Sequence, residues 1–142
     1  MDTCSLSLSA NSYGQIGLQL TVKFDNLIIF DSRLTDTPVT VQHEFVDDRP
    51  HVLEIIMSGK EPRDTVLDNE GRILQDRLID IEDIMLDDID ITSIVRKQAT
   101  YTHNFNGSQP QTVGEFYSIM GCNGTVLFEF NSPVYNWLLE NM

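Results

Sequence analysis

The sequence predicts an all-β fold: a single β-sandwich or jelly-roll domain over residues 1–142, closed by a short C-terminal helix. Three observations carry this prediction. Apolar residues recur at every second position in one run after another, which is the period of a half-buried strand. The runs are separated by clusters of Gly, Pro, Asn and Asp at roughly 8–12-residue intervals, the rhythm of sandwiches and barrels. A helical apolar period is clear only at the C-terminal end, in Val134, Trp137 and Leu138. A chain of 142 residues buries roughly 68–70% of its unfolded surface, so one core forms without metal or disulfide staples.

Leu6-Ser7-Leu8 opens the alternation as a first strand. From Gln15 to Phe30 it continues, with Ile16, Leu18, Leu20, Val22 and Phe24 on one face and Gln19, Thr21 and Lys23 on the other. Asp25-Asn26 interrupts this run as a turn, and Leu27 to Phe30 resumes it. Thr37-Pro38 opens the next strand, in which Val39, Val41, His43 and Phe45 share a face. Asp47-Asp48-Arg49-Pro50 closes it, because proline donates no ladder hydrogen bond and restricts the residue before it. His51 to Met57 reads as a buried strand ending at Ser58-Gly59. The polar stretch from Gly59 to Val66 is a loop, and Asp68-Asn69-Glu70-Gly71 is a turn in which Gly71 suits a positive φ.

Leu78 to Ile91 carries two competing periods. A helix would align Leu74, Leu78, Ile81 and Met85, whereas strands pair Ile79 with Ile81, Ile84 with Leu86, and Ile89 with Ile91. The isoleucine content favours strands, with a bulge at Glu82-Asp83 and a turn at Asp87-Asp88. Ile94 to Tyr101 is expected to be a further strand, and Asn106-Gly107 to begin a loop reaching Pro110. Val113 to Met120 and Thr125 to Phe130 flank Gly121-Cys122-Asn123-Gly124, an expected hairpin. In the closing helix Ser132 is the expected N-cap and Pro133 the first helical residue.

Nine Lys and Arg stand against 22 Asp and Glu, a formal charge of −13. That balance argues against nucleic acid and anionic membranes as partners, since both require positive charge. No apolar run approaches the ~18 residues of a membrane-spanning helix. Met1-Asp2-Thr3-Cys4 has neither a basic region nor an apolar run after it, so cytoplasmic synthesis is expected, with Cys4 and Cys122 as free thiols. Asn106-Gly107-Ser108 and Asn123-Gly124-Thr125 match the glycosylation sequon but read as turns in that setting.

Ten carboxylates lie between Asp64 and Asp90. Calcium takes six to eight oxygen ligands, and Asp64, Asp68 and Glu70, in a loop before Gly71, are the candidate metal ligands. The EF-hand pattern is absent, since aligning Gly71 puts Val66 at its first position and Arg77 at its last. Because most of the acidic residues alternate with isoleucine, a solvated strand face is the competing account. His43, His51 and His103 are not spaced as a zinc pair. No nucleophile elbow, phosphate loop or activated cysteine is present, so the chain is not expected to be an enzyme. Tyr101 and His103, in the run Tyr101-Thr102-His103-Asn104, are the candidate glycan-binding residues, and Trp137 is expected to plug the core.

A resemblance adds to this reading. Ser58-Gly59-Lys60, Asp64-Thr65, Asp68 to Gly71, the Ile-Asp-rich segment ending at Asp90-Ile91, Tyr101 to Gly107, Met120 to Gly124 and Pro133 to Met142 carry it. From Gly59 onward the chain resembles small acidic proteins of tailed phages, especially those of marine cyanobacteria. The resemblance implies a non-enzymatic virion protein, a capsid-decorating or tail- or neck-associated subunit that assembles with other virion proteins or its own copies. The middle of the chain is also similar to calcium-dependent carbohydrate-binding β-sandwich modules, which implies a glycan-binding role in host adsorption with calcium as the ion.

Overall fold

The computed structural model describes residues 2–14, 17–104, 107 and 109–142. It is a sandwich of two antiparallel sheets. One sheet has the order β12 (Ile119–Met120), β8 (Leu78–Leu86), β1 (Thr3–Tyr13), β4 (Val39–Val46), with β9 (Ile89–Asp90) also on β8. The other has the order β11 (Thr112–Glu115), β10 (Thr100–His103), β13 (Gly124–Phe130), β5 (His51–Ser58), β2 (Gln19–Phe24), β3 (Leu27–Arg33). A small hairpin, β6 (Val66–Leu67) and β7 (Ile73–Gln75), stands apart from both. Two short helices, α1 (Thr92–Gln98) and α2 (Val134–Asn141), complete the fold.

The alternating residues form the core, as a period of two requires. Cys4, Leu6, Leu8 and Ala10 of β1 and Ile79, Ile81, Ile84 and Leu86 of β8 line the inner face of the first sheet. Leu20, Val22 and Phe24 of β2, Leu53, Ile55 and Met57 of β5, and Val126 and Phe128 of β13 line the second. Leu18 is buried as its phase demands, while Gln15 and Ile16 of the same run lie outside the described residues. Asp25 (φ 49°) and Asn26 (φ 67°) form the two-residue turn between β2 and β3, and Asp87 (φ 48°) and Asp88 (φ 63°) form another between β8 and β9. Leu78 to Leu86 is one strand, and its register against β1 slips between Ser7↔Met85 and Ser9↔Glu82, the bulge expected at Asp83.

Three expectations give way. Ile94 to Tyr101 is not one strand: α1 occupies most of it, and β10 begins only at Thr100. The Asp90 carboxylate accepts the Thr92 N–H at 2.9 Å, and the Thr92 hydroxyl accepts the Ile84 N–H at 3.0 Å, so side chains start a helical turn against β8. Ile94 and Val95 are then both buried, which successive residues of a strand with one solvated face cannot achieve.

Val113 to Met120 does not pair with Thr125 to Phe130 either. It splits at Ser118 (φ 78°) into β11, on the edge of one sheet, and β12, on β8 of the other. The Arg96 Nε donates to the Ser118 hydroxyl at 2.6 Å and the Ile81 N–H to the Ser118 carbonyl at 2.8 Å, while Phe116 is fully buried at the crossover. Finally, Ser132 is not the N-cap. Pro133 occupies that position with an extended backbone, and the capping carboxylate comes from Asp47. Val134, Trp137 and Leu138 are buried as expected.

Candidate functional site

Strands β10, β11 and β13 end together at one end of the six-stranded sheet. Thr102 pairs with Thr125 and with Val113, and His103 with Gly124 and with Thr112. The outward Thr102 and Thr125, the strand-end His103, and Asn104 and Gln111 just beyond it wall a pocket of about 250 Å³. Asn104 orders the adjoining loop. Its side-chain oxygen accepts the Gly107 N–H at 2.8 Å, and its carbonyl accepts those of Gly107 and Gln109 at 3.1 and 3.2 Å. Asn106 and Ser108, read as part of this loop, lie outside the described residues. Gly124 forms the floor, where a Cβ would collide with the Thr102 carbonyl.

The back wall is held from beneath by a polar lock. The Asn123 side chain accepts the Lys60 N–H at 2.9 Å and donates to the Lys60 carbonyl at 2.8 Å. The buried Lys60 ammonium reaches Asp76 and the Gly121 carbonyl, each at 2.5 Å. Tyr101 belongs to this lock and not to the surface. It is 7% exposed, and its hydroxyl donates to the Cys122 carbonyl and accepts the Cys122 N–H at 3.0 Å. Burial pushes its phenol up to about 12. Its ring lies 4.8 Å from that of His103, so it supports the pocket from the core side and offers no face for a sugar to stack on. The sequence grouped Tyr101 with His103, and strand alternation does put them on one face, but Tyr101 is buried there, whereas His103, at the strand end, lines the pocket.

Asp64, Asp68 and Glu70 are not gathered into one cluster. The Asp64 carboxylate accepts the Glu61 N–H at 2.7 Å and pairs with the Arg77 guanidinium at 3.0 Å. The Glu61 N–H foremost, with Arg77 further helping against the cost of burial, holds its carboxyl below the usual range. Asp68 accepts the Glu70 and Arg72 N–H groups, both at 2.8 Å, and shares the Arg72 side chain with Glu70. Among the described residues, no three His, Cys, Asp or Glu side chains stand together as a metal site. A calcium ion requires converging unspent oxygens. The carboxylates here are already committed to arginines and backbone donors, so they do not fit one.

Sequence reasoning missed the polar cluster built around His51. His51 is 1% exposed, its Nδ1 lies 2.7 Å from the Asp25 carboxylate, and its Nε2 faces Asp47 at 3.8 Å. Phe24, Phe45 and Phe130 surround the ring, so the cluster is part of the core and ties the β2–β3 turn to the base of α2. Its signal was the phase of His51, which alternates with Leu53, Ile55 and Met57 on the inner face.

No protein-family model matches the sequence, and no curated protein matches it. Solved structures are similar in fold. The selenomethionine form of vCBM60, described with a circular permutation linking two families of calcium-dependent carbohydrate-binding modules, superposes with a TM-score of 0.56 at 13% identity, covering 90% of this chain and 91% of that one. vCBM60 in complex with galactobiose superposes with a TM-score of 0.51 at 14% identity, covering 87% and 96%. At these identities the likeness establishes the β-sandwich fold. The expected kinship with phage structural proteins gains no support from it.

Proposed function

We propose that the chain is a non-catalytic carbohydrate-binding domain that takes sugar in the pocket at His103. The carrying observation is the chemistry of that pocket. Thr102, His103, Asn104, Gln111 and Thr125 present hydroxyl, amide and imidazole groups, with no carboxylate or ammonium among them, in a chain of charge −13. Sugar hydroxyls both donate and accept, and side-chain amides answer both roles from one planar group. The similarity in fold to vCBM60, which was solved with galactobiose, supports the same reading. Each such bond exchanges a water for a hydroxyl and gains little, so affinity rests on several acting together.

Titration calorimetry with neutral and acidic oligosaccharides tests this. Binding lost in His103→Ala and weakened in Gln111→Ala, with unchanged melting temperatures, is the expected result. A flat response across sugars, or equal binding by both variants, would sink it.

A second reading is assembly into a virion, alone or with glycan binding in host adsorption. The β6–β7 hairpin favours it, since Leu67, Ile73 and Leu74 are 54%, 62% and 63% exposed on a unit that neither sheet covers. Stoichiometric presence of the chain in purified particles is the outcome this reading requires.

A further inference from the structure

We infer that the ligand is an extended glycan lying across the strands of the six-stranded sheet, from the His103 pocket to a second pocket at Arg33, and carrying an isolated uronic-acid unit at the Arg33 end. This rests on the carbohydrate reading above and specifies its ligand.

Strand register carries the argument. Gln19 pairs with Arg33 on one side and with Ser58 on the other. Strand β13 meets β5 at Gly124↔Met57, so Asn123 stands beside Ser58, one step beyond the ladder. Strand β10 meets β13 at His103↔Gly124 and β11 at His103↔Thr112, so Asn104 stands between Asn123 and Gln111. One row therefore crosses all six strands: Arg33, Gln19, Ser58, Asn123, Asn104, Gln111. Every member is polar and none is a carboxylate, although the chain has 22 acidic residues.

The row joins two depressions. Arg33, Gln19 and Ser58 border a pocket of about 510 Å³, and Asn123, Asn104 and Gln111 border the His103 pocket of about 250 Å³. Strands lie 4.7–4.9 Å apart, so five steps span about 24 Å, a length for several sugar units and not for one. The neighbouring outward row, Asp31, Thr21, Ile56, Thr125, Thr102 and Val113, lines the lane with small hydroxyls and two aliphatic side chains, and its one carboxylate, Asp31, is held by Gln19 and Thr21 at 2.6 and 2.9 Å. Asn123 is committed to Lys60 and acts as wall, Gln19 Nε2 donates to Asp31 at 2.6 Å and Asn104 Oδ1 accepts the Gly107 N–H at 2.8 Å, so Arg33, Ser58 and Gln111 meet the ligand together with the remaining amide atoms of Gln19 and Asn104.

Charge selects the ligand class. Among the described residues, Arg33 is exposed and has no carboxylate partner, whereas Arg77 and Glu61, which border the same pocket, are paired with Asp64 and Arg63 at 3.0 and 2.5 Å. A guanidinium fork meets a carboxylate with two parallel hydrogen bonds. The lane holds one such group, at one end. It therefore matches a single acidic unit among neutral ones, while a polymer acidic at every unit meets repulsion from the net charge of −13.

The test is calorimetry with gluco- and galacto-oligosaccharides of two to six units, counterparts in which one unit is a uronic acid, and oligogalacturonates. Affinity is expected to climb with length up to roughly five units, the reach of five strand spacings. One uronic unit should improve affinity roughly tenfold over the neutral parent, the order of one charged hydrogen bond. Arg33→Gln should erase that gain, so that the variant binds the uronic ligand and its neutral parent alike, and oligogalacturonates should bind worst. A disaccharide that binds as tightly as the longer chains, or an uronic preference that survives Arg33→Gln, overturns the lane. If such short-chain binding is lost in His103→Ala, the carbohydrate function stands without the lane. If no sugar binds, both fall.

Discussion

Asp47 caps the closing helix from 87 residues away: its Oδ2 accepts the Val134 N–H at 2.8 Å. The other oxygen of the same carboxylate takes the Ser132 hydroxyl at 2.6 Å, and the side chain is 3% exposed. The loop after β4 and the start of α2 are thus one unit, joined at the end of the sandwich opposite the polar row.

Asp47→Ala should be costly. It removes an N-terminal cap, worth about 1 kcal/mol, and leaves a second partly buried donor without its acceptor, for a total of about 2 kcal/mol. In a domain of this size the melting midpoint should fall by roughly 4–8 °C. Ser132→Ala should cost clearly less. If the two variants melt alike, the serine is the functional cap and the carboxylate is dispensable.

Acid should unfold the chain through its paired carboxylates. Burial works to raise the Asp76 carboxyl, but the Lys60 ammonium, the Thr65 hydroxyl and the Arg77 N–H together outweigh it and hold the group below its ordinary 3.8. Asp87 is likewise lowered against burial, by the Tyr135 hydroxyl and the Ser5 N–H. A group that titrates lower when folded gives stability that is complete above its unfolded value and is lost as pH falls through the folded one. Urea midpoints should therefore hold level for these groups from pH 7 to 5 and drop below about pH 4. Asp76→Asn should lower the plateau and soften the drop, whereas an unaltered acid limb would remove Asp76 from the account.

The Lys60–Asp76 pair should also fail sharply when halved. The lysine side chain is 2% exposed and meets both Asp76 and the Gly121 carbonyl. Lys60→Met leaves a carboxylate and a carbonyl without their cation, a change of about 3 kcal/mol. Denaturant melts measure it, and a loss under about 1 kcal/mol would mean that water replaces the ammonium there.

Much of this architecture is written in single-residue alternation. β1, β2, β4, β5 and β13 each bury every second side chain along most of their length, and Asp25-Asn26 and Asp87-Asp88 are residue types that tolerate positive φ. The failures come where a distant partner decides. The β-branched run after Ile91 reads as strand, but the Asp90 and Thr92 side chains start a helix there. The β11–β12 break rests on Ser118, held by Arg96 from another element. In the site, His103 was legible as a polar strand end. Tyr101 was misjudged although Thr100 and Thr102 on either side already placed it inward. The arginines Arg72 and Arg77, close to the acidic loop, were the available sign that its carboxylates would be paired. The Arg33-to-Gln111 row was out of reach, because its members come from six strands that only the pairing register aligns.

Tyr101→Phe should separate support from recognition. The substitution keeps the ring and removes the hydroxyl that holds both polar groups of the Cys122 backbone, leaving them unpaired at a cost of about 1–3 kcal/mol. The midpoint should drop by several degrees. Sugar affinity well below that midpoint should change far less than in His103→Ala. A variant that melts normally but no longer binds would return the phenol to the ligand-contacting surface.

Calcium should leave the melting curve where it is. An ion that binds only the folded chain adds about 2.7 kcal/mol at a hundredfold excess over its dissociation constant, a shift of several degrees here. To enter the Asp64–Glu70 loop it must displace Arg77 from Asp64 and Arg72 from both Asp68 and Glu70, and must strip Asp68 of two backbone N–H donors. Melts in excess calcium and in EDTA are expected to coincide. Should calcium raise the midpoint, Arg77→Ala and Arg72→Ala decide where it sits: an ion in this loop would bind more tightly once the competing guanidinium is gone, and an ion elsewhere would not respond.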